Sequence, residues 1–360
     1  MMKVRRSTLI VFAILALVLV TIPLFAPTFF VVQIGIQSLF LGIVALSLIF
    51  LAGYGGMVSL VQVALYGVAG YVYAILTVTY TAPWYVGVLV GLLFTTVLSA
   101  LFALIAIRTQ GIYFLMITLA QAMLVYFYVN QDRIFAGGHS GINGVRPPAI
   151  GSLDLADPTA FYYMTLIVAV LAYLGLHYSL RSPFGLALQG IRDNPQRMHS
   201  LGYRTSAHRV AAFTLAGFIA ALGGIIGVWY NGSISPGSID LTRTINVLVI
   251  AVLGGIGYLE GAFVGAIFFT LVTNFASSYT DRFNTVIGIA FLLVALFFPD
   301  GLIGLSKKAM QLLSRGGSGR GKGTRQQEPT ASSPSVRATS SSPTVSDAIT
   351  GDRVPGRGDL

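Results

Sequence analysis

Apolar stretches of about 20 residues, separated by short polar breaks, recur along most of the chain. That is the length an α-helix needs to cross roughly 30 Å of hydrocarbon. Lipid offers no water to a bare backbone, so an open chain must satisfy its N–H and C=O groups internally, as a helix does. The expected fold class is therefore an all-α integral membrane protein. Spans are expected near 8–26, 30–52, 57–80, 84–107, 111–130, 160–180, 209–231, 244–257, 259–278 and 284–300, about ten transmembrane helices in all. One or two of these should be broken or re-entrant. Segment 57–80 starts in Gly53-Tyr54-Gly55-Gly56 and contains Gln62, and segment 244–257 is short for a straight crossing. Irregular backbone of this kind is tolerated where it lines an internal cavity.

Composition agrees. Hydrophobic residues make up 55% of the chain and charged residues 9%, with a mean hydropathy of +0.80. A soluble domain carries about 25% charged residues, so this chain could not cover its own surface in water.

The basic residues give an orientation. With Lys3, Arg5 and Arg6 in the cytoplasm, ten crossings put Arg108, the 181–209 loop and the C-terminal tail on the same side. That side receives 18 Lys/Arg and the other receives 4: Arg133, Arg146, Arg243 and Arg282. Such asymmetry is the usual mark of cytoplasmic loops. The chain is thus expected in the cell membrane, multi-pass, with both termini cytoplasmic. The run from Thr8 to Phe25 is long for the apolar core of a signal peptide and is read as an uncleaved first helix. Residues 1–305 form the transmembrane domain. Residues 306–360, rich in Gly, Ser, Thr, Pro and Arg, are expected to be a disordered basic cytoplasmic tail. No basic face with interleaved aromatics is present, so no nucleic-acid partner is expected.

Chemistry is sparse. The chain has no cysteine, and His139, His177, His199 and His208 fall in no metal-binding spacing, so neither a metal nor a catalytic role is expected. The spans hold almost no ionisable groups, whereas an ion-coupled secondary transporter needs them to hold and release its ion. An intramembrane enzyme such as a lipid transferase would need clustered acids or histidines, and none is seen. A passive channel would conduct when purified alone. The energy for uphill transport must then come from a partner. The chain has no G-x-x-x-x-G-K-[ST] sequence, so the expected partner is a separate ATPase. No cofactor is expected on this chain; ATP would bind the partner.

That ATPase needs a surface to push. The 181–208 loop has the pattern of a short helix on either side of Pro195. Met198 and Leu201 would share one apolar face, and Gly202 would end the turn. The expected coupling face is Arg192, Asp193, Asn194, Met198, Leu201 and Gly202. An ordinary loop whose arginines only set topology is the competing reading. Polar residues within apolar spans tend to face the interior. Ser59, Gln62, Tyr113, Thr118 and Gln121 are therefore candidates for a translocation pathway, against the simpler role of packing helices together. Gly254, Gly255 and Gly257 join them, because glycines so closely spaced mark either a break that frees backbone for a solute or a tight inter-helix turn.

Four segments carry a family resemblance, over about Gly53 to Leu305. Gly53-Tyr54-Gly55-Gly56-Met57-Val58-Ser59-Leu60 precedes Gly67-Val68-Ala69-Gly70-Tyr71. Arg108-Thr109-Gln110-Gly111-Ile112-Tyr113-Phe114 runs on to Thr118-Leu119-Ala120. Gly137-Gly138 is followed by Gly141, and Pro299-Asp300-Gly301-Leu302-Ile303-Gly304 closes the body. Together they resemble the LivM-type permease of branched-chain amino acid ABC importers, and the second segment favours that type over its LivH-type partner. The 182–202 loop resembles the family's coupling loop, with Gln196, Arg197 and Met198 standing where Glu-Ala-Ala-like residues are usual. The resemblance implies a second permease as heterodimer partner, two cytoplasmic ATP-binding subunits, an external solute-binding protein, and a branched-chain or related small amino acid as substrate. Relatives of this kind also carry urea or short amides.

Overall fold

The computed structural model describes residues 30–150, 153–279, 288 and 301–304. The expected spans near 8–26 and 284–300, and the 306–360 tail, lie outside the described residues.

The other eight expected spans are all helices. They are α1 (Phe30–Tyr54), α2 (Gln62–Thr79), α3 (Trp84–Ala106), α4 (Ile112–Gln131) and α5 (Pro158–Arg181). Two short helices follow, α6 (Pro183–Asp193) and α7 (Pro195–Ser200), and then α8 (Thr205–Asn231), α9 (Leu241–Gly254) and α10 (Gly261–Tyr279). At 14 residues α9 alone rises ~21 Å, less than a hydrocarbon thickness. A 3₁₀ turn at Pro236–Ser238 precedes it and lengthens the apolar stretch to 19 residues. Both doubtful spans are thus long enough to cross. Among the described residues seven helices are long and apolar enough to do so, and α10 is an eighth apolar helix. The chain is a multi-pass membrane protein.

Sequence chemistry sets several helix starts. Asp157 accepts the Ala160 N–H ahead of α5, Asn194 accepts the Arg197 N–H ahead of α7, and Asp240 accepts the Arg243 N–H ahead of α9. Each meets one of the orphan donors of a first turn. Pro158, Pro183 and Pro195 occupy first-turn positions, where a missing N–H costs nothing.

Helices α1, α2 and α8 are the most buried, and α8 packs against α1, α2 and α3. Its small residues make this possible: Gly224 lies on the Tyr66 backbone, Gly223 against Val44, and Gly217 against Ser99. Ser99 Oγ donates to the Phe213 carbonyl at 3.1 Å, tying α3 to α8. Without a hydrophobic drive between helices in lipid, such close backbone approach and interhelical bonding hold the bundle. Helices α3, α4 and α5 are less buried and turn apolar side chains such as Leu93, Phe94, Leu124 and Leu171 outward.

At the bundle end away from α6 and α7, the 132–157 segment folds over. Strand β1 (Ile142–Asn143) pairs antiparallel with β4 (Ser233–Ile234), and β2 (Ala149–Ile150) with β3 (Leu153–Asp154). Gly141, the last glycine of the Gly137-Gly138-x-x-Gly141 motif, is pressed onto the Ile234–Ser235 backbone with φ +66°.

Candidate functional site

The expected coupling loop is two helices meeting at Asn194. Phe184, Ala187, Leu188 and Ile191 of α6 recur at helical spacing and turn toward the bundle, against the end of α1, α5 and α8. Helix α7 lies on α6: Met198 is half-buried, and a Cβ on Gly190 would come within 2.9 Å of its sulfur. Leu201, one residue past α7, is 66% exposed. Met198 and Leu201 therefore differ in role, one clamping α7 to α6 and the other facing outward. Gly202 ends the pair at φ +87°, where its N–H donates to the His199 carbonyl and that of Tyr203 to Met198. A left-handed residue in this place is the common glycine stop.

Arg192 turns back into the bundle. Its Nη1 donates to the Gly53 carbonyl at the end of α1, and a Cβ on Gly56 would fall 2.6 Å from its Cγ. Its Nε is 3.2 Å from Asp193 Oδ1, with the two side chains 45% and 69% exposed. An ion pair that open contributes little; the contact with Gly53 is the specific one. Gly53 in turn abuts Ile256, for a Cβ there would collide with the Ile256 carbonyl oxygen, and Tyr54 Oη donates to the Gly257 carbonyl at 3.4 Å. The two glycine-rich segments, far apart in sequence, therefore touch beneath α6. Gly254, Gly255 and Gly257 form a tight α9–α10 turn. Gly255 has φ +103°, and Gly254 is in backbone contact with Gly261. The Gly255 N–H donates back to Ala251 and Val252 of α9, and those of Tyr258, Gly261 and Ala262 donate within the turn, so it is a packed joint.

The interior candidates separate. Residues 56–61 are not helical, yet Met57, Ser59 and Val61 are buried, so α2 begins at Gln62. Thr118 Oγ1 accepts the Leu60 N–H at 3.2 Å and donates to the Leu115 carbonyl at 3.0 Å, joining α4 to the segment ahead of α2. Gln121 Nε2 donates to the Phe102 carbonyl at 3.0 Å and ties α4 to α3. Gln62 Oε1 accepts from Ser47 at 3.3 Å, while its Nε2 and Ser59 Oγ are buried without a hydrogen-bond partner. Ser59, Gln62 and Thr118 are all buried, Thr118 against the backbone of Leu60 and Gln62 against Ser47. Tyr113 is not, being 68% exposed on the outer face of α4. Thr118→Val should leave the Leu60 N–H unmet and cost about 1–3 kcal/mol, read as a lower midpoint for thermal aggregation of the purified protein.

Sequence reasoning missed a cavity. About 580 Å³ in volume, it lies between α1, α2, the end of α8, α9 and α10. Phe40, Tyr66, Tyr230, Arg243 and Asn246 line it. The signal available was Arg243, a basic residue on the side that the topology count leaves nearly bare. Among the described residues no cluster of His, Asp or Glu could hold a metal.

Comparison with known proteins follows the same lines. Residues 30–296 match the family described as branched-chain amino acid transport system / permease component. The high-affinity branched-chain amino acid transport system permease protein LivM of Salmonella typhimurium is 22% identical over 231 residues, 58% of this chain and 54% of that protein. LivM of Escherichia coli is 23% identical over 57% of this chain and 54% of that protein. The LivH permease protein of Escherichia coli is 29% identical over 41% and 49%. The chain thus spans about half the length of the curated relatives it matches. No solved structure matches it significantly. The chain belongs to the family of branched-chain amino acid transport system permease components.

Proposed function

We propose that this chain is the LivM-type permease subunit of an ABC importer for branched-chain or related small amino acids. It would pair with a second permease, receive solute from an external binding protein, and be driven by two ATP-binding subunits on the cytoplasmic side. ATP binds those subunits and never this chain, and both termini lie in the cytoplasm. The reading draws support from the family match and from permease relatives of two types, LivM and LivH. The observation that carries it is the α6–α7 pair. It stands at one end of the bundle with Leu186, Leu201 and Tyr203 exposed, and its Arg192 is bonded to the end of α1. Apolar side chains exposed on short helices at the end of a bundle suit a protein partner. Closure of an ATPase dimer against this pair would shift α6, and with it the glycine joint under Arg192, so that the pathway opens to one side at a time.

The test is reconstitution with the four partner chains in proteoliposomes. ATP-dependent leucine accumulation is expected, and the chain alone should accumulate nothing. Met198→Asp and Gly202→Val should each lower uptake and binding-protein-stimulated ATP hydrolysis together, by about tenfold or more, a barrier of at least ~1.4 kcal/mol. Full uptake in both variants would remove α6–α7 as the coupler, and accumulation by the lone chain would remove the importer reading.

A further inference from the structure

The 580 Å³ cavity lies at the end of the bundle away from α6 and α7, next to the β1–β4 pair. Its volume is in the range of small-molecule sites. One wall is aromatic: Phe40 stacks on Tyr66 with centroids 6.5 Å apart and lies 5.3 Å from Tyr230. Arg243, which is exposed, and Asn246, both in the first turns of α9, also line the cavity. Among the described residues Arg243 forms no ion pair, and no Asp or Glu lines the cavity. Asp240, three residues away, points one carboxylate oxygen at the Arg243 backbone N–H, 2.7 Å distant. On α10, Thr273 lines the same space.

A solvent-accessible guanidinium without an acid, lining the same cavity as an aromatic wall, suits a ligand with one carboxylate and an apolar body. The fork of N–H groups matches the two oxygens of a carboxylate, and the rings take the aliphatic part. Urea or an amide would leave the charge of Arg243 unanswered. We propose that this cavity is a solute-binding site within the chain itself, with Arg243 as the anchor for the carboxylate of a small aliphatic α-amino acid. This deepens the permease reading and rests on it.

The probe is radiolabelled leucine, added to the purified complex of both permeases and both ATP-binding subunits, without the binding protein. Saturable binding is expected. Unlabelled leucine and 4-methyl-2-oxopentanoate, which keeps the carboxylate and lacks the amine, should displace it; leucinamide, which lacks the carboxylate, should not at equal concentration. Arg243→Ala should weaken binding at least about tenfold, and Arg243→Lys by less. Absence of leucine binding, displacement by leucinamide equal to that by leucine, or an Arg243→Ala affinity within about twofold of wild type would each overturn the assignment. The competition series uses only the wild-type complex, so it decides even if the variant fails to assemble. If the wild-type importer accumulates leucine with ATP while Arg243→Ala binds normally, the site assignment alone is wrong. If the wild type shows no ATP-driven uptake, the permease reading itself is wrong.

Discussion

Arg192→Ala is expected to cut leucine uptake per ATP hydrolysed by about tenfold to a hundredfold. Its guanidinium hydrogen bond to the Gly53 carbonyl links α6 to the end of α1, and its stem covers Gly56. A hydrogen bond involving a charged group contributes about 1.5–3 kcal/mol, which is the size of that fold-change. Arg192→Lys should restore part of the coupling, since an ammonium can still donate but lacks the planar fork. Asp193→Ala should change thermal stability by less than about 1 kcal/mol, because both members of its ion pair are open to solvent. The measurement is uptake and phosphate release on the same proteoliposomes. An unchanged ratio in Arg192→Ala would show that motion does not pass through this contact.

Gly254→Val is expected to abolish the monodisperse protein altogether. A Cβ at Gly254 would overlap the carbonyl of Gly261, and behind that oxygen lies more Gly261 backbone. No side chain can rotate away to make room, so α9 and α10 would have to separate. Overpacking a core costs about 1–3 kcal/mol where side chains can adjust, and a backbone clash belongs at or beyond the top of that range. Gly257→Ala, three residues on, should be nearly neutral, since nothing lies within 4 Å of a Cβ there. Fluorescence-detected size-exclusion of the two variants gives the comparison. Equal peaks would mean that the α9–α10 joint has slack that its geometry does not display.

What the sequence made legible follows from how each signal arises. A membrane span is a one-dimensional property, the length of an apolar run, and the helices recovered from α1 to α10 reflect that. The α6–α7 pair was equally local: Pro195 after a capping Asn194, with Gly202 as the stop. The start of α2 at Gln62 instead of residue 57 was harder, because Met57, Val58 and Leu60 are apolar whether helical or not. The polar candidates were harder still. Polarity in an apolar span says that a side chain avoids lipid tails, but a bundle offers several ways to do so. Thr118 and Gln121 bond to neighbouring backbone, while Tyr113, near the start of α4, sits on the outer face where a tyrosine can meet headgroups. The cavity was illegible because five helices and the segment between α8 and α9 each contribute part of its lining, and only the packing of α8 against α1 and α2 brings Tyr230, Phe40 and Tyr66 together.

The contact of Gly53 with Ile256 has a mechanical corollary. Since Arg192 grips one of these segments and that segment bears directly on the other, a shove on α6 is split between two load paths, one along α1 and one through α9 and α10. Both helices of the second path and α1 itself also line the chamber of Arg243, so under the proposed coupling a displacement of α6 would reach that chamber from two sides.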